Sequence, residues 1–132
     1  MRITADTNVL VRVMVGDDPA QERVAKNFLQ EAELIAVPLS ALCEFVWVLG
    51  SGYGYGREKI LLALESLLQT ENLVMNFGAV NAGIAMLQAG GDFADGVIAF
   101  EGDLLGGEMF ASFDVRAVRA LTKQGKPAQL LR

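Results

Sequence analysis

Short apolar runs of strand type alternate with longer stretches of helical periodicity along this chain, and that alternation leaves few architectures open. Runs of β character at residues 3–5, 34–37, 73–75, 109–113 and 128–130 are separated by helical patterns at 19–31, 39–49, 58–69, 79–88, 94–105 and 115–123, several with apolar residues three or four apart. Strands separated by whole helices pair in parallel through helical crossovers rather than through tight hairpins. The pattern therefore predicts an α/β domain built on a central, mainly parallel sheet of four or five strands. At 132 residues and 52% hydrophobic content, the chain is large enough to bury a core without disulfides or structural zinc, and it reads as one domain spanning 1–132.

Composition removes several kinds of chemistry. There is no histidine, so Ser-His-Asp, Cys-His and His-ligated zinc schemes are closed, and carboxylate chemistry remains. The single cysteine, Cys43, excludes an intramolecular disulfide and a Cys-rich zinc site, and its apolar neighbours suit a small buried hydrophobe. The first residues lack the apolar stretch of a signal peptide, and no apolar run is long enough for a membrane span, so the expected location is the cytoplasm, without a membrane partner. A net charge of −5 opposes broad nucleic-acid binding, yet Arg116, Arg119, Lys123, Lys126 and Arg132 follow Asp114 with no further acid. That basic stretch is a candidate phosphate contact, with Arg116, Arg119 and Lys123 its core; a solvated helix face explains the same charges.

Four acids interrupt apolar structure. Asp6 follows Ile3-Thr4-Ala5, Glu44 lies between Leu42-Cys43 and Phe45-Val46-Trp47, Asp95 precedes Val97-Ile98-Ala99, and Asp114 ends Phe110-Ala111-Ser112-Phe113. Carboxylates with few lysines or arginines around them are satisfied by a hard divalent cation, whose chemistry suits attack on a phosphodiester. Asp6 and Asp114 each follow a strand, and in open α/β sheets the ligand crevice lies at the carboxyl ends of strands. Each has a competing explanation as the N-cap of the helix that follows. Glu44 is expected to be partly buried, because Ser40, Ala41, Trp47 and Val48 are its neighbours on a helix face. Asp95 stands three residues after Asp92, the spacing of a capping box, so Asp92 is read as the cap and Asp95 as the functional acid one turn in. Glu101 and Asp103 are expected to be solvated.

Residues 50–56, Gly-Ser-Gly-Tyr-Gly-Tyr-Gly, lack the Gly-Lys-Ser/Thr ending of a P-loop and read as a mobile link between helices, with Tyr53 and Tyr55 available for stacking on a base or a partner.

Taken in order, Ala5-Asp6-Thr7-Asn8-Val9-Leu10, Glu44 within Ser40-Ala41-Leu42-Cys43-Glu44-Phe45-Val46-Trp47, Asp92-Phe93-Ala94-Asp95-Gly96-Val97-Ile98-Ala99 and Ser112-Phe113-Asp114 resemble the motifs of PIN-domain ribonucleases of the VapC toxin family. The resemblance covers nearly the whole chain. It implies a PIN-like three-layer α/β/α fold and a Mg²⁺- or Mn²⁺-dependent endoribonuclease, the toxin of a type II toxin-antitoxin pair. It implies that Asp6, Glu44, Asp95 and Asp114 form an acidic metal pocket in which metal-activated water hydrolyses RNA, with Glu44 helping to deprotonate that water. Thr7 or Ser112 would add a hydroxyl contact to metal-bound water or phosphate, and Asn8 would brace the turn after the first strand. The implied partners are RNA, a VapB-type antitoxin whose C-terminal segment lies in an apolar groove, and a second copy in a homodimer. Val115-Arg116 departs from the Arg-Asp that often follows the last acid in that family, which bears on Asp114 in particular. Two other readings exist. A haloacid-dehalogenase-type phosphatase wants a second Asp where Asn8 stands, and a non-catalytic PIN-like binding module would carry a broken acidic set.

Overall fold

The computed structural model describes residues 1–132, and the chain folds as a mixed α/β protein with short parallel sheets. Its contacts group into two compact units, Met1–Asn76 and Phe77–Arg132.

The first unit opens with β1 (Arg2–Thr4), followed by α1 (Thr7–Val15), α2 (Pro19–Glu31), β2 (Leu34–Ala36), α3 (Leu39–Trp47), a π-helical turn (Val48–Gly52), α4 (Arg57–Leu68) and β3 (Leu73–Val74). The three strands form a parallel sheet in the order β1-β2-β3, with Ile3 opposite Ile35 and Ile35 opposite Leu73. Parallel pairing requires each connection to return the chain to the same end of the sheet, which is the work of α1 with α2, then of α3 with α4. Ile35, Leu10, Leu42, Phe45, Leu49 and Leu64 are essentially inaccessible to solvent and form the apolar interior of this unit. Burial of that kind contributes roughly 1.5–3 kcal/mol per large aliphatic or aromatic side chain. The helix starts are written locally. Asp6 caps α1 by accepting from Thr7 N at 2.8 Å, and Asp18 caps α2 through Gln21 N at 3.1 Å, ahead of Pro19.

The second unit contains α5 (Phe77–Gln88), α6 (Phe93–Leu104), β4 (Phe110–Ser112), α7 (Val115–Lys123) and β5 (Ala128–Leu130). Here β4 and β5 form a two-stranded parallel sheet, with Ala111 opposite Gln129, and α7 supplies the crossover. Met86, Ala117, Ala120 and Leu121 make a buried cluster, flanked by Ala89, Ala99, Phe110 and Ala128. Helices α5 and α6 approach through glycines. A Cβ on Gly83 would stand 2.5 Å from the Phe93 ring, and one on Gly96 would stand 2.5 Å from the Ala82 carbonyl oxygen.

The strand and helix positions follow the expected alternation closely, but the expected single sheet of four or five strands is instead a three-stranded and a two-stranded sheet. The strands are two or three residues long because helices start so soon after several of them: α1 after β1, α3 after β2 and α7 after β4. Such strands offer few ladder bonds. The expected slack link at 50–56 is also revised. The chain continues out of α3 as a π-helical turn, with Tyr53 N bonded to Val48 O at 3.2 Å and Tyr55 N to Leu49 O at 2.9 Å. Cys43, expected to be a small buried hydrophobe, is half-buried. No helix is long and apolar enough to cross a membrane.

Candidate metal centre

The second unit gathers three carboxylates from two helix N-termini. Helix α5 ends at a glycine pair: Gly90 takes a left-handed φ of 97°, and Gly91 N bonds back to Met86 O at 2.9 Å. This abrupt stop lets α6 begin two residues later, with Asp92 at its N-cap and Asp95 in its first turn. Gly96, next to Asp95, is the residue through which α6 meets Ala82 and Gly83 of α5, so the backbone that carries Asp95 is held by close helix contact. Asp114 arrives from β4. Its N–H donates to Ser112 Oγ at 2.9 Å, and its Oδ1 caps α7 by accepting from Arg116 N at 2.9 Å and Ala117 N at 3.4 Å. The Arg116 Nη2 donates to Gly90 O at 3.1 Å, which ties the start of α7 to the turn before α6.

One carboxylate oxygen from each of Asp92, Asp95 and Asp114 lies within 4.8 Å of the other two. None of the three forms an ion pair, since the salt bridges of the chain are Arg2–Glu33, Arg12–Asp17 and Lys26–Glu22. Asp92 makes no side-chain cap bond, and Asp114 spends only Oδ1 on its cap, which leaves Oδ2 for another partner. Burial, and then the charges of Asp92 and Asp114, push the Asp95 carboxyl above its ordinary range. The two helix N-termini offset part of the repulsion, since their partial positive charge favours carboxylates in the first turn. Asp92 and Asp114 are exposed, so water screens them as well, and a proton or a cation would relieve what repulsion remains. A Mg²⁺ ion holds oxygens at about 2.0–2.1 Å, so in its octahedral shell adjacent ligands stand about 2.9 Å apart and opposed ones about 4.2 Å, and this trio would have to draw together to share one ion.

The other expected residues are placed individually. Asp6 is exposed at the cap of α1, and its carbonyl accepts from Val9 N at 3.1 Å, so Asp6 itself closes the turn that Asn8 was expected to brace; Asn8 is exposed. Thr7 is buried, and its hydroxyl donates to Ala41 O at 3.4 Å, joining α1 to α3. Glu44 is exposed, against the expectation of partial burial. The buried face of α3 is Ala41, Leu42, Phe45 and Val46, and the 100° step of the helix turns Glu44 away from it, on the side that leaves Trp47 67% exposed. Arg116, Arg119 and Lys123 lie exposed along α7, whose buried residues are Ala117, Ala120 and Leu121. Glu101 and Asp103 are exposed, as expected.

Asp92 is the residue that sequence reasoning undervalued. It occupies the N-cap position as expected, but its carboxylate bonds no helix N–H and joins the acidic group instead. The capping-box spacing accounted for it too well. The mid-helix glycines 83 and 96 were a second missed signal, since glycine inside a helix often marks a close approach. A scan against protein-family models and a search of curated proteins both give no match to this chain.

Proposed function

We propose that the protein is a divalent-metal-dependent endoribonuclease of PIN type, and that it serves as the toxin of a toxin-antitoxin pair. The observation that carries the metal-dependent part is the trio Asp92, Asp95 and Asp114, three carboxylates within 4.8 Å of one another and without an ion-pair partner. The choice of RNA and the toxin role rest on the resemblance of the ordered motifs around Asp6, Glu44, Asp95 and Asp114.

In this reading Asp92, Asp95 and the Oδ2 of Asp114 hold Mg²⁺ or Mn²⁺. When bound, the ion supplies charge neutralisation at the phosphate and activation of the attacking water. Ser112 and the N-terminus of α7 keep Asp114 oriented, and Arg116 holds the two helix starts in register through Gly90. The exposed cations Arg119 and Lys123 on α7 take up RNA phosphates, which gives an acidic protein a local site for a polyanion. The family resemblance assigns Asp6 and Glu44 to the same reaction, Glu44 as the proton acceptor. It also assigns a VapB-type antitoxin and a homodimeric state.

Incubation of the purified chain with mixed cellular RNA tests this, with Mg²⁺ or with chelator, beside Asp6→Ala, Glu44→Ala, Asp92→Ala, Asp95→Ala and Asp114→Ala. Cutting that needs Mg²⁺ and falls about 10²-fold or more in the Asp95 variant is expected. Equal cutting in chelator, or in the Asp95 variant, overturns the reading.

A further inference from the structure

Residues 50–56 place glycine at every second position, a composition that loses much conformational freedom when it is ordered. Gly54 takes a left-handed φ of 70°, and a Cβ built on Gly54 or Gly56 meets nothing within 4 Å, so the outer half of the segment is not packed through its backbone. Its order comes from two sources. One is the set of main-chain bonds to the preceding turn, including Gly54 N to Gly50 O at 3.2 Å.

The other is a side-chain network reaching from Tyr53 to the turn between α1 and α2. The Tyr53 hydroxyl donates to Asp17 Oδ2 at 2.8 Å and accepts from Arg12 Nη1 at 3.3 Å. Arg12 Nη1 also donates to Asp17 Oδ1 at 2.9 Å, and Arg12 Nε donates to Gln21 Oε1 at 2.6 Å. Tyr55 meets the Tyr53 ring edge-on, with centroids 6.4 Å apart, and Lys59 Nζ lies 4.0 Å from the centre of the Tyr55 ring.

We propose that Arg12, Asp17 and Tyr53 form a latch that holds the loop at 50–56 against the turn between α1 and α2, and that breaking the latch releases the loop while the first unit stays folded. The latch is partly in water: the Arg12 and Asp17 side chains are 32% and 42% exposed. Its bonds are therefore individually weak, and the closed form outweighs the open one by a small margin that modest changes can reverse. The hydrogen bond from Tyr53 and the charge of Arg12 hold the Asp17 carboxyl below its ordinary range. Arg12 and Gln21 also line a groove of about 430 Å³ between α1 and α2, together with Val9, Val24 and Phe28. Opening the latch thus remakes one wall of that groove, and anything that draws the Arg12 guanidinium away removes a donor from Tyr53. The device needs neither metal nor RNA, so it stands apart from the ribonuclease reading.

Hydrogen exchange on the full chain, read peptide by peptide, tests it with Tyr53→Phe, which keeps the ring and removes only the hydroxyl, and with Asp17→Asn. The expected result is exchange at residues 53–56 at least about fivefold faster in each variant, with β2 unchanged and the double variant little faster than either single one. Unchanged loop exchange overturns the latch. So does acceleration spread evenly through the first unit, which would make the network a general stabiliser, and so does full multiplication of the two single effects, which would make the contacts independent.

Discussion

Asp17 of the first unit and Asp95 of the second are moved in opposite directions by their surroundings. The Asp95 carboxyl is raised from 3.8 by burial and by Asp92 and Asp114, so the unfolded chain releases this proton at lower pH than the folded chain does. Below the ordinary carboxyl range the group costs nothing; as pH rises through the folded value the cost builds, and it is fully present at neutral pH. Asp17 is lowered from 3.8, so its contribution is present at neutral pH and is lost as pH falls through its folded value. Thermal melts in chelator from acid to neutral pH are therefore expected to show Asp95→Asn gaining on the native chain as pH rises, and Asp17→Asn losing ground over the same interval. Parallel curves for all three proteins would contradict the assignments. At this scale Asp95 and Asp114, acids that break apolar runs, do lie close together, whereas the surroundings of Asp92 and Glu44 were not legible. Asp92 has a local explanation that needs no site, and the exposure of Glu44 depends on which face of α3 is buried, which four neighbouring residues do not decide.

Among the elements, the contact between α5 and α6 carries the site, because it fixes the backbone beside Asp95. Gly96→Ala would place its methyl 2.5 Å from the Ala82 carbonyl oxygen, 2.7 Å from Met86 Cβ and 2.8 Å from Gly83 Cα. Two of these three are backbone atoms that cannot swing aside as a side chain can. Overpacking of this kind costs about 1–3 kcal/mol, so Gly96→Ala is expected to melt well below the native chain, while Gly102→Ala, whose methyl meets nothing within 4 Å, melts at or above it. Equal midpoints for the two variants would show that α5 and α6 are not held through Gly96. Most elements were legible from periodicity: the helices 19–31 and 115–123 and the strand 128–130 fall where the pattern put them. Helix α1 was legible only through the cap at Asp6. The π-helical turn was hidden because glycine-rich composition describes an ordered turn and a slack link alike, and the difference lies in bonds such as Tyr53 to Val48 and Tyr53 to Asp17.

For the molecule as a whole, a net charge of −5 and the absence of histidine leave carboxylates as the principal chemical resource, and the fold concentrates three of them at two helix starts. The α/β class followed from alternation, whereas the split of the strands into two sheets depends on where each ladder stops and has no counterpart in periodicity. The meeting of Asp92, Asp95 and Asp114 joins positions about twenty residues apart through the Gly90–Arg116 bond, a tertiary contact that motif order alone does not specify. The proposed metal dependence requires that trio to be a cation site, and paramagnetic Mn²⁺ reads it without any need for substrate. Substoichiometric Mn²⁺ added to the ¹⁵N-labelled chain is expected to broaden the amides of residues 91–96 and 113–117 first, and to lose this selectivity in Asp95→Asn. Broadening that is uniform across the chain, or that persists unchanged in Asp95→Asn, would contradict it.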